Sequence, residues 1–519
     1  WAACKALVAN GCRVTLLDSL PDPSGGRPFL TPTGKPFEVG QRGFWRDYPN
    51  IERLVQDLGL PDRAVWSDFT PSQFWSPNGL EATAPVFGSA EFPQLPSPLG
   101  QVVAISRNSV MQLPVADRAS LAGLLYAYLD ITRDEATFER YDRMTAHDLF
   151  IRMGLTKRLV DDFIRPTLLV GLFKPPEEVS AAVAIELLYF FCLAHQTSFD
   201  VRWLSGGTVA QTLINPLAKQ VTAAGDVTVR GHTRVEEVAL SADGGRVAGV
   251  KYRQAGQQES VLLEVDACVL ALGVKGMKGV VGASASLARH CPELARTSAL
   301  NGIDVMACRI WLDRYVATEA PSNVIGRFPG LRGAGGTFFM LDQLHTDQAA
   351  LWGGGDPQGS VLACDFYNAS ALNTLSNEDI VDLLMKELLP GAVPAFSQAQ
   401  VVDSFVQRFP GGVTWFSPGS YRNRPPLATS IPNLVCAGDL VRMGEREHGS
   451  KGLCQERAYV SGLEAANLLA RNGALGRHQA QHPVLPVRED EPQVTLARDL
   501  NRFIMEGLKP LGLDSPWVR

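Results

Sequence analysis

An acidic side chain at the end of a short apolar run is the first feature of the chain that is suited to chemistry. Residues 1–9 are rich in alanine, Asn10-Gly11 predicts a turn, and the apolar residues 14–17 lead into Asp18. This order is typical of the second half of a dinucleotide-binding βαβ unit, in which the final carboxylate accepts hydrogen bonds from a ribose. The first strand and its glycine-rich turn would then precede Trp1. An ordinary helix–strand pair is the alternative.

A turn suited to phosphate follows this strand. Residues 21–27 have the sequence Pro-Asp-Pro-Ser-Gly-Gly-Arg. Gly25 and Gly26 would let the backbone approach a pyrophosphate closely, and the guanidinium of Arg27 would neutralise it with two hydrogen bonds. Taken alone, the triplet is equally consistent with a plain turn.

A second segment with binding potential lies near the other end of the chain. Residues 431–439 predict a buried strand that ends in a Gly438-Asp439 turn, and residues 456–469 predict a helix with many small side chains. The amino end of a helix offers free N–H groups and a positive dipole, which suit the electron-rich edge of a ring system. Between the two ends, residues 225–238 and 265–273 predict further strands, with a hairpin around Asp243-Gly244-Gly245.

In this order, the segments resemble the superfamily of flavin-containing amine oxidases and carotenoid desaturases. The resemblance implies an α/β fold in which a discontinuous Rossmann-like FAD-binding domain of the amine-oxidase type carries an inserted α+β substrate domain. It implies the ranges 1–75, 200–295 and 405–470 for the cofactor domain and 76–199 and 296–404 for the substrate domain. Residues 471–519 would form a carboxyl-terminal extension, either a solvated strap or an arm that docks a protein partner.

The resemblance also assigns cofactor roles to individual residues. It places Asp18 at the ribose and Val235 at the adenine, and Gly273 ends a strand beside the cofactor. Gly438 and Asp439 would bind the ribityl and phosphate part, and the following helix would meet the flavin ring. The complete set of residues expected to bind FAD is Asp18, Gly25, Gly26, Arg27, Gly40, Arg42, Val235, Gly273, Gly438, Asp439, Gln455 and Ser461.

Further motifs resemble the desaturase branch of the superfamily. They lie at residues 40–50, which end in Tyr-Pro-Asn, and at residues 196–208, 416–425 and Thr429. This branch implies a long apolar polyene or lipid-like substrate and few ionisable catalytic groups, because the flavin accepts the hydride or electron pair. Tyr189, Phe190 and Phe191 would then wall an apolar channel, with core packing as the alternative. No catalytic residue is assigned.

The chain departs from the superfamily pattern at one place. Residues 442–452 form a longer and more charged link than usual, and Arg457 stands where the superfamily usually has glycine. A cation at the amino end of a helix opposes the helix dipole, unless it pairs with a carboxylate such as Glu445 or Glu447. Two alternatives to a desaturase therefore stay open: an amine oxidase of the same fold, and a catalytically weak flavoprotein that serves as a binding or assembly subunit.

Composition narrows the possible partners. A net charge of −6 over 519 residues argues against nucleic acid, and the eight histidines show no metal-ligand spacing. Nine cysteines without a Cys-x-x-Cys motif indicate free thiols in a reducing compartment. The apolar segment 179–193 is too short for a membrane span, so we expect a buried helix there, with peripheral membrane contact as the alternative. The resemblance to carotenoid desaturases implies a plastid or a cyanobacterial-type cytoplasm as the location, peripheral to a membrane.

Overall fold

Two short pairs of parallel strands bring distant parts of the chain together. The structure, a computed structural model, describes residues 1–23, 29–130, 135–476 and 480–512. Val14–Leu17 pairs with Val227–Arg230, and Cys268–Leu270 pairs with Leu434–Cys436. Parallel strands need long crossover connections, and here these connections contain most of the rest of the protein. The predicted strands at 265–273 and 431–439 are confirmed, but each is shorter than its apolar run.

The first and last helices of the predicted cofactor region pack closely against each other. Ala2–Ala9 lies against Gln455–Arg471. A Cβ atom added at Gly462 would lie 2.8 Å from the Cβ of Ala2, which is closer than two such atoms can approach. The small side chains recognised in both segments are therefore what allows the two helix backbones to come together.

A three-stranded antiparallel sheet adjoins this region. It consists of Thr233–Leu240, Val247–Gln254 and Val261–Glu264, and the hairpin predicted at Asp243 joins the first two strands. Asn215–Ala224 precedes this sheet. The helices that follow the sheet are Val274–Ala283, Ala285–His290 and Pro292–Ala295.

The largest sheet has seven strands. Their order across the sheet is Val401–Thr414, Gly302–Leu312, Val361–Tyr367, Gly335–Met340, Ser322–Ile325, Ser72–Ser76 and Gly79–Ala84. All neighbouring strands are antiparallel except Ser322–Ile325 and Ser72–Ser76, which are parallel. In the central strands Ala307, Asp365 and Thr337 lie side by side, so their side chains share one face.

Helices cover the opposite face of this sheet. The helix Asn377–Leu383 begins at Ser376 with a capping box, in which Ser376 and Asp379 exchange hydrogen bonds. It continues through Leu384–Leu388 and Leu389–Ala392, and Ile380, Leu384 and Leu388 are fully buried. These apolar side chains recur at helical spacing and therefore face the sheet.

A mostly helical region occupies the first predicted substrate segment. Its helices are Leu99–Ser106, Val115–Ala119, Ala122–Asp130, Glu135–Asp142, Ala146–Arg152, Lys157–Leu159, Val160–Ile164, Arg165–Gly171, Ala181–Leu188 and Tyr189–Leu193. The predicted helix at 179–193 is confirmed as a buried one that begins at the Ser180 cap. Among the residues that the structure describes, no helix is long and apolar enough to cross a bilayer.

Shorter elements complete the fold. The remaining strands are Phe29–Leu30, Pro36–Phe37, Phe44–Trp45 and Val201–Arg202. The remaining helices of the main body include Pro49–Asp57, Asp62–Val65, Ala210–Ile214, Leu341–Leu344 and Gln348–Leu351. The nine cysteines are all free thiols, and Cys308 lies directly opposite Cys364 on neighbouring strands of the large sheet.

The carboxyl-terminal extension lies along the body of the protein and ends in a helix, Pro492–Leu508. Leu485 donates its N–H to Asn50 Oδ1 at 2.8 Å, and Arg488 forms an ion pair with Asp47. Arg498 donates to the carbonyl of Tyr128 at 3.0 Å. The extension is therefore a strap held to the surface by polar contacts.

Candidate functional site

A cavity of about 370 Å³ lies between the large sheet, residues 39–43 and the amino end of the helix Gln455–Arg471. Most of its wall is apolar. The aromatic residues that line it are Trp45, Tyr48, Phe74, Phe173, Phe191, Phe199, Trp203, Phe339, Phe366 and Tyr367. Such a lining suits an apolar ligand, while a few polar groups fix its orientation.

The amino end of the helix Gln455–Arg471 forms one wall of the cavity. Leu453, Cys454 and Gln455 line it, and the Sγ atom of Cys454 caps the helix by accepting from the N–H of Arg457. The backbone N–H groups of Gln455 and Glu456 have no acceptor within the described parts of the chain. This end can therefore donate hydrogen bonds to an electron-rich ring, as the sequence predicts.

The side chain of Glu456 turns away from the cavity and caps a second helix. Its carboxylate accepts the N–H groups of Asn50 and Ile51, both at 2.9 Å, at the start of Pro49–Asp57. Burial raises the pKa of Glu456 to about 7, although the donors from Asn50 and Ile51 lower it. The carboxylate thus ties the Tyr-Pro-Asn motif to the helix that borders the cavity.

The turn at Gly438 and Asp439 lies beside this helix. Gly438 has a φ of +129°, which favours glycine, and its N–H donates to Ser461 Oγ at 2.8 Å. A Cβ atom built at Gly438 would lie 3.8 Å from the carbonyl oxygen of Leu272, so Gly273 is close by. Asp439 lines the cavity, and burial raises the pKa of its carboxyl group.

The loop at residues 39–43 brings charged groups to another wall. Gly40 has a φ of +71°, and the N–H of Gln41 donates to Asp365 Oδ2 at 3.0 Å. Arg42 forms an ion pair with Glu38 at 3.4 Å and donates to the carbonyl of Val39. The loop is therefore held against the centre of the large sheet by a buried carboxylate.

Arg457 has a structural role in the link. It is 3% exposed, and it donates to Glu447 at 2.6 Å and to the carbonyls of Asp439, Val441 and Ser450. Burial raises the pKa of Glu447, but Arg457 and Lys451 outweigh it and hold that pKa well below its ordinary value. Of the two carboxylates considered from the sequence, Glu447 is the partner.

The structure brings most of the sequence-predicted residues into two groups. Gly40, Arg42, Asp439 and Gln455 line the cavity, and Gly273, Gly438 and Ser461 lie beside it around the Gly438 turn. Asp18 and Val235 belong to another group, because the N–H of Thr233, at the start of the strand of Val235, donates to the carbonyl of Asp18 at 2.8 Å. Gly25, Gly26 and Arg27 lie outside the described residues.

Only some of the aromatic residues singled out in the sequence line the cavity. Phe191 and Trp45 line the cavity, and the indole nitrogen of Trp45 has no hydrogen-bond partner in the described structure. Tyr189 donates its hydroxyl to Asp490 at 2.6 Å, and Phe190 stacks near Tyr48 inside the core. Sequence reasoning missed Asp365, although a carboxylate inside an otherwise apolar run was a usable signal.

Comparisons with known proteins agree with this architecture. A family model for flavin containing amine oxidoreductases matches residues 2–470. The chain belongs to this family, and it is an FAD-dependent oxidoreductase of the α/β class that the motifs predicted.

Two curated relatives extend over nearly the whole chain. A 15-cis-phytoene desaturase from Synechococcus elongatus is 26% identical over 495 residues, which cover 93% of this chain and 96% of the relative. A carotenoid phi-ring synthase from Streptomyces griseus is 27% identical over 493 residues, which cover 92% and 87% of the two chains. These names fit the desaturase interpretation and not the two alternatives.

Solved structures show the same fold at lower sequence identity. Cyclohexylamine oxidase from Brevibacterium oxydans has a TM-score of 0.58 and 15% identity, with 92% of this chain and 97% of that chain covered. A triple mutant of putrescine oxidase has a TM-score of 0.59 and 13% identity, with coverages of 91% and 96%. At these identities the likeness shows the fold alone.

The residues around the cavity fit a bound FAD. The helix end with its two free N–H groups lies at the wall of the cavity, and the Gly438 turn, whose positive φ favours glycine, lies beside it. A family member needs such donors for the polar edge of the flavin and apolar walls for the substrate beside it.

Proposed function

We propose that the protein desaturates or otherwise oxidises a long apolar polyene, such as a carotenoid or another isoprenoid. The observation that carries this proposal is the aromatic cavity that meets the amino end of the helix Gln455–Arg471. The names of the relatives at 26–27% identity support the substrate class. Bound FAD would be the oxidant, because the flavin accepts a hydride or an electron pair.

In this proposal the chain holds FAD along the two groups of residues described above. Asp18 would bind the ribose and Val235 would pack against the adenine. Gly273, Gly438, Asp439 and Ser461 would surround the phosphate and ribityl part, and Gly40, Arg42 and Gln455 would border the flavin ring. Gly25, Gly26 and Arg27 keep their proposed role at the pyrophosphate. The cofactor and substrate domain ranges given above are proposed on the same basis.

The proposed reaction is tested with purified protein reconstituted with FAD. We expect anaerobic incubation with phytoene in liposomes to bleach the flavin absorbance and to produce a polyene that absorbs at longer wavelength. The comparison substrate is putrescine, with hydrogen peroxide as the readout in air. Bleaching by the amine with peroxide release, and no change in the polyene, would contradict the proposal and favour an amine oxidase.

Two neighbouring phenylalanines provide a matched pair of variants. Phe191 and Phe190 are both buried, but only Phe191 is part of the cavity lining. Losing one buried aromatic contact with the substrate costs about 1–3 kcal/mol, so we expect Phe191→Ala to lower kcat/KM by roughly ten- to a hundredfold. Phe190→Ala should destabilise the protein to a similar extent and leave kcat/KM close to wild type. Equal kcat/KM losses in the two variants would argue against the proposed substrate position.

We also propose that the helix Pro492–Leu508 contacts a membrane surface, from which an apolar substrate would enter. Leu496, Leu500, Phe503 and Ile504 recur at helical spacing and are 71%, 57%, 76% and 48% exposed. The polar contact from Arg498 holds the other side of the helix against Tyr128. An amphipathic helix with its apolar side outward is suited to the membrane interface. The relatives named as chloroplastic support a plastid location, and the cyanobacterial relative supports a cyanobacterial-type cytoplasm.

Vesicle sedimentation tests the membrane contact. We expect the protein to sediment with phospholipid vesicles and Phe503→Asp to reduce the bound fraction severalfold, because a buried charge is costly in the interface. Leu262→Asp is the control, since Leu262 is 56% exposed in a strand elsewhere on the surface. Equal vesicle binding by the two variants would contradict this role and leave the helix as a candidate surface for a protein partner.

A further inference from the structure

Asp365 is a buried carboxylate in the wall of the cavity that the large sheet forms. It lies in the strand Val361–Tyr367, which is buried along its whole length. Ala307 and Thr337 are its neighbours on the two flanking strands, and both are small side chains on the same face. The carboxylate is therefore not covered by its neighbours within the sheet, and it lines the cavity.

One of the two carboxylate oxygens is fixed and the other is open. Oδ2 accepts the N–H of Gln41 at 3.0 Å, while Oδ1 accepts no hydrogen bond from the described residues. Gln41 stands between Gly40 and Arg42, which are two of the residues proposed to border the flavin ring. The fixed oxygen thus orients Asp365 beside the place where a substrate would meet the ring.

We propose that Asp365 is the general base that removes the proton during oxidation of the polyene. This inference rests on the function proposed above. Formation of a carbon–carbon double bond removes two hydrogens from adjacent carbons. One leaves as a hydride, with the electron pair of its C–H bond, to the bound flavin, which is the oxidant. The other leaves as a proton to Oδ1 of Asp365, and the electron pair of that C–H bond forms the new π bond. The resulting carboxylic acid then returns its proton to water.

The charged surroundings of Asp365 suit this role. Burial raises its pKa to about 6, Arg309 and Arg42 lower it, and Glu38 raises it. Tyr367 is the other titratable group on the same face of this strand, while Cys308 and Cys364 lie on the opposite face of the sheet; burial raises the pKa of all three. Asp365 is therefore ionised at neutral pH, yet it is a stronger base than an ordinary aspartate.

The other ionisable groups of the cavity are less suited. Burial raises the pKa of Cys192 to about 12 and that of Cys454 to about 11, so both thiols stay protonated at neutral pH. Burial also raises the pKa of Tyr48 well above its ordinary value. Asp439 belongs to the turn that we propose holds the cofactor. Asp365 is the carboxylate that faces the remaining space.

Asp365→Asn tests the proposal, because it keeps the shape and removes the base. We expect the rate of flavin reduction by the polyene to fall by roughly 10²–10⁴-fold, with FAD still bound. Wild-type kcat/KM should rise with pH through about 6, the pKa of Asp365, and this rise should be absent from the residual activity of the variant. Asp365→Glu should restore part of the rate.

An infrared measurement on the protein without cofactor gives a second readout. We expect one component of the carbonyl band of neutral carboxylic acids to disappear in wild type as the pH rises through about 6. This component should be missing in Asp365→Asn, while the component from Glu456, which titrates near pH 7, should remain. Asp342→Asn is the matched control. Burial also raises the pKa of Asp342, but this residue accepts from Ser360 Oγ at 3.0 Å and is not part of the cavity lining.

Three outcomes would overturn the inference. In the first, the polyene reduces the flavin of the Asp365→Asn variant at the wild-type rate, which leaves the proposed function intact. In the second, Asp342→Asn loses as much activity as Asp365→Asn, which indicates a structural effect. In the third, wild-type protein with bound FAD does not oxidise any polyene, and then the proposed function fails together with the role of Asp365.

Discussion

Replacing Glu456 with alanine is expected to lower the free energy of unfolding by about 3–5 kcal/mol. The carboxylate is fully buried and accepts three hydrogen bonds, from the N–H groups of Asn50 and Ile51 and from Asn50 Nδ2 at 2.6 Å. Each buried donor left without an acceptor costs about 1–3 kcal/mol. Urea denaturation of the purified variant measures the loss. Glu445→Ala is the control, because Glu445 is exposed in the nearby link.

The effect of this substitution should depend on pH. Burial raises the pKa of Glu456 from 4.5 to about 7, so the folded protein binds this proton more tightly than the unfolded chain. The stability that this group contributes is then fully present below pH 4.5 and is lost as the pH rises through about 7. Glu456→Ala should therefore be more destabilising at pH 5 than at pH 8. Equal effects at the two pH values would show that the pKa of Glu456 is the same in the folded and unfolded chains, against this prediction.

Replacing Arg457 with alanine is expected to cost roughly 2–4 kcal/mol of stability and to weaken FAD binding. The substitution leaves the carbonyls of Asp439, Val441 and Ser450 without their buried donor. Part of this cost is offset because the substitution removes a repulsion between two cations. Burial and the positive charge of Arg457 both lower the pKa of Arg424. Denaturation and fluorescence titration with FAD measure the two effects.

A double-mutant cycle separates the contribution of the ion pair from that of the carbonyl contacts. Combining Arg457→Ala with Glu447→Gln should show a coupling of about 1–3 kcal/mol, because the two groups are in contact. Arg446→Ala is the control. Arg446 belongs to the same charged link, pairs with Glu464 and makes fewer backbone contacts than Arg457. If Arg457→Ala lowered the free energy of unfolding no more than this control, the link would be held by other contacts.

Local features of the fold were predictable because local sequence determines them. The hairpin at Asp243 and the small-residue helix near the carboxyl end were both recognised from residues a few positions apart. The α/β class and FAD dependence followed from motif order at opposite ends of the chain. These inferences need no knowledge of strand register.

The contents of the cavity wall were not predictable in the same way. Asp365, Gln41 and Arg309 come from distant segments. Asp365 and Arg309 share a face because of the register between the strands Gly302–Leu312 and Val361–Tyr367, and Gln41 reaches Asp365 from a loop. Which of Glu445 and Glu447 meets Arg457 depends on a short helical turn, Gly444–Arg446, which contains Glu445 and ends just before Glu447. Single-sequence patterns do not contain this information.

The buried free thiols can report how readily different layers of the protein open. Cys4, Cys364 and Cys436 are buried in three different layers, namely the first helix, the large sheet and the strand before the Gly438 turn. Burial raises the pKa of each thiol, so alkylating reagents meet almost no thiolate in the native state. Each cysteine can be modified only when its layer opens transiently. Mass spectrometry of iodoacetamide adducts over time would therefore rank the layers by how readily they open, without any engineered label.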